Sequence, residues 1–256
     1  MAAAGHGTRY PGVLPLTRLV GSPIMTQMAD LLAGVRAILF DLDGTLVETE
    51  IDFALMKREM LAFAEREEVS PFGLQSLDIL SIVNAVVRSF ADRGIPDDAI
   101  RIRREALDIL ERIELTHSAS ARAIPGAREL LGALRDAAIG IGIVTRNCRK
   151  AAQVSLDRAG IVCDVLLTRD DVENVKPHAD HLLQALRMLG AGVGEAVMIG
   201  DHWMDVQSGR AASVRTVGFL RAGRPDGLFD CCPPDVIVSD LRELIPRVAR
   251  CRGVRE

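Results

Sequence analysis

The 256-residue chain has no run of about 18 apolar residues, the length a bilayer-spanning helix needs, so no such helix is expected. It has no excess of basic residues either. Its 31 Lys and Arg against 35 Asp and Glu give a formal net charge of −4, whereas a nucleic-acid binder shows a basic surplus. The five cysteines, Cys148, Cys163, Cys231, Cys232 and Cys251, are odd in number, irregularly spaced and without a CxxC pair. That pattern indicates neither a zinc site nor a disulfide framework, and a reducing cytoplasm is the setting it suits. Residues 1–27 lack the compact positive-then-apolar layout of a signal peptide. Gly, Pro and Ala interrupt them without a sustained period, so they are expected to form a disordered extension, with Met25 and Met28 as alternative starts. Internal repeats and low-complexity tracts are missing as well.

What is present is an ordinary globular composition, 48% hydrophobic and 26% charged, long enough for one domain with an insertion or for two domains. Val35–Leu46 organises the rest. Val35, Ala37, Ile38, Leu39 and Phe40 form a nearly unbroken apolar run, the pattern of a strand buried on both faces of a parallel sheet. The run ends in Asp41 and Asp43 followed by Gly44-Thr45. From Phe53 to Thr116 the period becomes helical, with helices expected over Phe53–Glu67, Leu74–Asp92 and Asp97–Thr116 and no convincing strand. This reads as an all-helical insertion over 49–123. Strand–helix alternation follows, with strands over Ile139–Thr145, Val162–Thr168, Ala196–Asp201, Arg215–Phe219 and Val236–Val238. Between them lie helices over Ala127–Ala137, Lys150–Ala159, Ala179–Leu189, Val206–Ala212 and Leu241–Ala249. The fold class is therefore α/β, a doubly wound parallel sheet of residues 28–48 and 124–256 with a helical insertion after the first strand.

Four polar groups fall just beyond buried strands: Asp41 with Asp43, Thr145, Lys176, and Asp201 with Asp205. Right-handed crossovers bring such strand ends to one sheet edge, where α/β folds bind ligands. Clustered carboxylates do not all stay ionised without a cation among them, and oxygen donors without Cys or His select a hard ion such as Mg²⁺. The ammonium of Lys176 and the hydroxyl of Thr145 suit the remaining oxygens of a phosphate. A carboxylate in line with a phosphoryl group can attack it, and a second carboxyl two residues on can serve as acid and then base.

The ordered set DLDGT, IVT, VKP and GDHWMD resembles the motif series of the haloacid dehalogenase superfamily, from about Val35 to Leu244. The resemblance implies a Rossmann-like core with a helical cap inserted after the first motif. It implies Asp41 as nucleophile and Mg²⁺ ligand, and Asp43 as general acid/base with its backbone carbonyl toward the metal. Thr145 would hold the phosphate with backbone amides around Arg146 and Asn147, and Lys176 would neutralise it and orient Asp41. Asp201 would bind the metal directly and Asp205 more loosely, while Gly44 and Thr45 would lie at the phosphate site and begin the cap hinge. Glu48, His178-Ala179 and His202-Trp203 depart from common family wording without removing a catalytic group.

The dehalogenase branch dispenses with the second aspartate, so retention of Asp43 points to phosphoryl chemistry. The expectation is a Mg²⁺-dependent phosphatase for a small phosphorylated metabolite, of the phosphoglycolate phosphatase type and acting as a monomer or homodimer. A phosphomutase of the β-phosphoglucomutase type shares every core residue, and a phosphate-binding module without turnover needs no Asp43. Some local alternatives stay open. Asp205 could instead cap a helix beginning near Val206. His202 and Trp203 could line the entrance or pack against the cap, and Cys148 could be a reactive thiol or a buried filler. Arg101, Arg103 and Arg104 could reach a substrate carboxylate or form a solvated face.

Overall fold

A computed structural model describes residues 31–223 and 227–252, so the expected extension over 1–27 lies outside the described residues. The apolar run forms β1 (Ala37–Phe40), buried at every position. Its alternate side chains divide between two cores, as the period of two in a strand requires. Ile38 and Phe40 join one core with Leu130, Leu134, Ile143 and Phe219, and Ala37 and Leu39 join the other with Leu182, Leu186 and Met198.

Beyond β1, a two-residue antiparallel ribbon pairs β2 (Val47–Glu48) with β3 (Arg122–Ala123). Between its strands run α1 (Phe53–Arg66), α2 (Ile79–Asp92) and α3 (Pro96–Ser118), with a separate apolar cluster that includes Met60, Phe63, Ile82, Val86, Ile102 and Leu110. The chain then alternates α4 (Ala127–Asp136), β4 (Gly140–Val144), α5 (Arg149–Ala159), β5 (Val165–Leu167), α6 (Ala179–Leu189), β6 (Ala196–Gly200), α7 (Trp203–Ala211), β7 (Arg215–Phe219), β8 (Val236–Val238) and α8 (Ile245–Arg252). The six longer strands form one sheet, all neighbours parallel, in the order β5-β4-β1-β6-β7-β8. β1 sits between β4 and β6, where the winding reverses direction, and a doubly wound sheet opens its ligand crevice beyond the strands at such a place.

Several sequence expectations need correction. The ribbon carries strand pairing to Arg122 and Ala123, inside the region expected to be purely helical. The helix expected from Leu74 is a 3₁₀ turn, Leu74–Ser76, and then α2, because Leu77 is extended and the carboxylate of Asp78 accepts the amide of Ser81 as a new N-cap. The strand expected from Val162 starts only at Val165, since Val162 is 66% exposed and the Asp164 carboxylate takes the Ile141 amide at 2.7 Å. The closing helix opens with a 3₁₀ turn at Leu241–Leu244 before α8. Among the described residues no helix is long and apolar enough to cross a membrane.

Candidate active site

Parallel pairing carries the backbone past β1: the Asp41 amide donates to the carbonyl of Ile199 at 2.9 Å, holding Asp41 beside the end of β6. There β6 ends in Gly200-Asp201, and Gly200 is needed: a Cβ at that position would lie 2.2 Å from the Asp205 carboxylate. Asp205 stands in the first turn of α7, whose N-cap is His202; the Asp205 carboxylate accepts the His202 amide at 3.1 Å in a reciprocal capping box. The helix therefore starts three residues before the expected Val206, with Asp205 inside its first turn instead of at its cap.

Asp41, Asp201 and Asp205 each offer a carboxylate oxygen within 4.8 Å of one another. Lys176 closes the group. Its Nζ donates to Asp41 Oδ1 at 2.5 Å and to Asp205 Oδ1 at 2.7 Å, and its side chain is 2% exposed. Burial works against that ammonium, but Asp205 and Asp41 together outweigh it and raise its pKa. Behind it, buried His181 is pushed down to about 3 by burial and by Lys176, so it stays neutral, its Nδ1 accepting the Lys176 amide at 3.4 Å.

Asp43 faces elsewhere. Its Oδ1 accepts from the Thr49 hydroxyl at 2.7 Å and its Oδ2 from the Asn147 amide at 2.6 Å. Burial, and then the charge of Asp41, push its carboxyl up to about 7 despite those donors. Asp41 rises to about 6, because burial and Asp205 outweigh the opposing pull of Lys176. Two neighbouring carboxyls thus differ in partner, one tied to a cation and one to neutral donors. That division suits a nucleophile and an acid/base.

A cavity of about 450 Å³ opens over these groups, with Asp41, Asp43, Thr145, Arg146, Asn147, Lys176, Asp201, His202 and Asp205 in its wall. Thr145 is buried, its Oγ1 accepting the Asn147 amide at 3.2 Å. Gly44 and Thr45 do not line the cavity: they form the turn before β2, where the Gly44 amide donates to Val47 at 2.8 Å and the Thr45 hydroxyl is buried without a partner. The Asp43 carboxylate is likewise outside the Asp41–Asp201–Asp205 group. Trp203 packs against the small buried cluster of Val206, Phe229 and Cys232. Burial raises the Cys148 thiol to about 12, so it is an inert filler whose sulfur accepts the Ala151 amide at the start of α5. Arg101 pairs with Asp98 and Glu105, and Arg103 bonds Asn84; neither these nor Arg104 reaches the cavity wall.

Sequence reasoning missed four charged groups of the wall: Lys57, Asp78, Glu114 and Arg169. Asp78 at the start of α2 pairs with Arg146 of the loop after β4. Glu114 of α3 reaches the same loop from above: one oxygen accepts the Cys148 amide at 3.0 Å and the other pairs with Arg169, both side chains at most 4% exposed. Arg169 in turn donates to the Arg146 carbonyl at 3.2 Å. These contacts join segments far apart in the chain, and no local motif announces them.

Three carboxylates with neither Cys nor His form a hard-oxygen donor set, which fits a divalent cation such as Mg²⁺. Residues 38–219 match the family model of haloacid dehalogenase-like hydrolases. The pyrophosphatase PpaX of Oceanobacillus iheyensis is 29% identical over 217 residues, 82% of this chain and 95% of that protein. The N-acetylmuramic acid 6-phosphate phosphatase of Pseudomonas aeruginosa is 30% identical over 220 residues, 82% and 93% of the two chains. Among solved structures, a HAD family hydrolase from Deinococcus radiodurans R1 with bound phosphate and sodium aligns with a TM-score of 0.58 and 27% identity, covering 86% of this chain and 97% of that one.

Proposed function

The chain belongs to the haloacid dehalogenase-like hydrolase family and is a phosphatase, and from that premise we propose a Mg²⁺-dependent enzyme for a small phosphorylated metabolite, working through an aspartyl phosphate. The observation that carries this reading is the division of labour between Asp41, held by Lys176, and Asp43, which accepts from Thr49 and Asn147 and is raised to about 7 by burial and the charge of Asp41.

Asp41 is the nucleophile. Its Oδ attacks phosphorus as the bond to the leaving oxygen breaks, and protonated Asp43 gives that oxygen its proton. Asp43, now a carboxylate, takes a proton from water as the water attacks phosphorus, releasing inorganic phosphate and the Asp41 carboxylate. Lys176 keeps Asp41 oriented and, with Thr145 and the amides around Arg146 and Asn147, balances the phosphoryl oxygens. The cation would be held by Asp41, Asp201 and Asp205, where its charge offsets that of the phosphoryl group.

In this reading residues 49–123 are a cap on a core of 28–48 and 124–256, with the β2–β3 ribbon at the hinge. Closure excludes bulk water and selects the leaving group. The two relatives' names suggest a substrate class. Pyrophosphate and N-acetylmuramic acid 6-phosphate each carry a second acidic group besides the phosphoryl that is cut, as phosphoglycolate also does.

The test is phosphate release from a panel of phosphoglycolate, sugar phosphates, nucleotides and pyrophosphate, with Mg²⁺ and with EDTA. Release that needs the metal and disappears in Asp41→Asn supports the proposal. A sugar phosphate isomerised without phosphate release makes the protein a mutase instead.

A further inference from the structure

The cavity wall carries four cationic side chains, and three of them already have acidic partners: Lys176 with Asp41 and Asp205, Arg146 with Asp78, and Arg169 with Glu114. The fourth, Lys57 on α1, pairs with no carboxylate of the described residues within 4.0 Å, although six carboxylates line the same cavity: Asp41, Asp43, Asp78, Glu114, Asp201 and Asp205. It makes no hydrogen bond to a described residue and is half-buried. An ammonium partly withdrawn from water and left without a counter-charge is a place for an anion to bind.

A second observation concerns the wall beside it. Phe53, Met56 and Lys57 fall at positions i, i+3 and i+4 of α1, one face of its first turns, and all three line the cavity. Phe53 is 56% exposed, so more than half of its surface is left uncovered by protein, and Ile79, Leu80 and Leu110 continue the apolar lining. A volume of about 450 Å³ is in the range that encloses a whole small-molecule ligand and exceeds what a lone phosphate fills.

We infer that Lys57 determines specificity: it binds a second anionic group on the leaving group, whose body packs on Phe53. The inference rests on the phosphatase reading above and names the part of the substrate that the catalytic groups do not touch. A carboxylate and a second phosphoryl group share the required chemistry. The substrate is thus a phosphate ester or anhydride with its two anionic ends separated by a body that packs on an apolar wall.

Three esters with one aromatic body test this: phenyl phosphate, 4-carboxyphenyl phosphate and 1,4-phenylene bisphosphate, assayed with wild type, Lys57→Met and Lys57→Arg. Wild type is expected to favour at least one doubly anionic ester by about tenfold in kcat/KM, the scale of one well-placed charged contact. The better of the two identifies a carboxylate or a phosphoryl as the second group. The ratio, taken within each variant, falls to about one in Lys57→Met and survives in Lys57→Arg, and in wild type it shrinks as KCl is raised. Calorimetric binding of phenylphosphonate and 4-carboxyphenylphosphonate in the presence of Mg²⁺ reads the same preference without turnover. A wild-type ratio of one, or a preference intact in Lys57→Met, overturns the inference. If neither these esters nor the panel above is hydrolysed, the proposed Mg²⁺-dependent mechanism fails, and the phosphonate ratio still decides the role of Lys57.

Discussion

Asp41 and Asp43 are two residues apart, and their side chains meet different surroundings. Lys176 lies 2.5 Å from Asp41, whereas Asp43 has only the hydroxyl of Thr49 and the amide of Asn147 to set against burial. Asp43→Asn keeps the size and hydrogen-bonding reach of the side chain but removes the transferable proton. It is expected to lower kcat by about 10²–10⁴-fold, with a much smaller change in KM, in steady-state assays with Mg²⁺. The raised carboxyl also gives a stability prediction. An acid whose pKa rises from 3.8 to about 7 on folding binds its proton more tightly in the native state, so its contribution is fully present below 3.8 and is lost as pH climbs through 7. In EDTA, urea unfolding is therefore expected to show wild type losing stability relative to Asp43→Asn between pH 4 and about 8. A gap between the two proteins that does not change with pH would contradict the assignment.

Elements place these residues. The parallel strands were legible because burial on both faces leaves continuous apolar runs such as AILF in β1 and AVMIG in β6, and the polar residue ending each run marks the crevice. Helix starts were less legible, since they depend on small polar caps: His202, an unusual cap, moved the start of α7, and Asp78 split an apparent single helix. Glu114 and Arg169 were not legible at all. Within α3, Glu114 reads as one more solvent-side charge, and only the packing of that helix on the loop after β4 buries it. A buried ion pair is costly to break from one side, so Arg169→Met is expected to destabilise by roughly 3–5 kcal/mol in urea unfolding. Adding Glu114→Leu is expected to recover part of that loss by removing the stranded charge. The double variant is still expected to lose activity, because the Cys148 amide and the Arg146 carbonyl of the loop after β4 lose their partners.

At the scale of the whole molecule, three helices with their own apolar cluster lie between the strands of the β2–β3 ribbon, and Asp41, Asp43, Lys176, Asp201 and Asp205 lie outside that stretch. Acidic residues at or near the helices meet basic residues of the sheet's loops at Asp78–Arg146 and Glu114–Arg169, and of the first turn of α5 at Glu111–Lys150. The Asp41–Asp201–Asp205 group carries like charges in a buried setting, so a divalent cation that binds there stabilises the folded state by mass action, by about 2.7 kcal/mol at a hundredfold excess over its Kd. Mg²⁺ is expected to raise Tm in thermal unfolding of wild type and to do so far less in Asp201→Asn. The most direct measurement of the central claim is to trap the phosphoryl-enzyme: rapid quenching during turnover, borohydride reduction of the acyl phosphate and mass mapping of the peptides. The account predicts reduction of position 41 to homoserine, dependent on both substrate and Mg²⁺. An enzyme that turns over its substrate with position 41 unreduced, or with another residue reduced in its place, would contradict it.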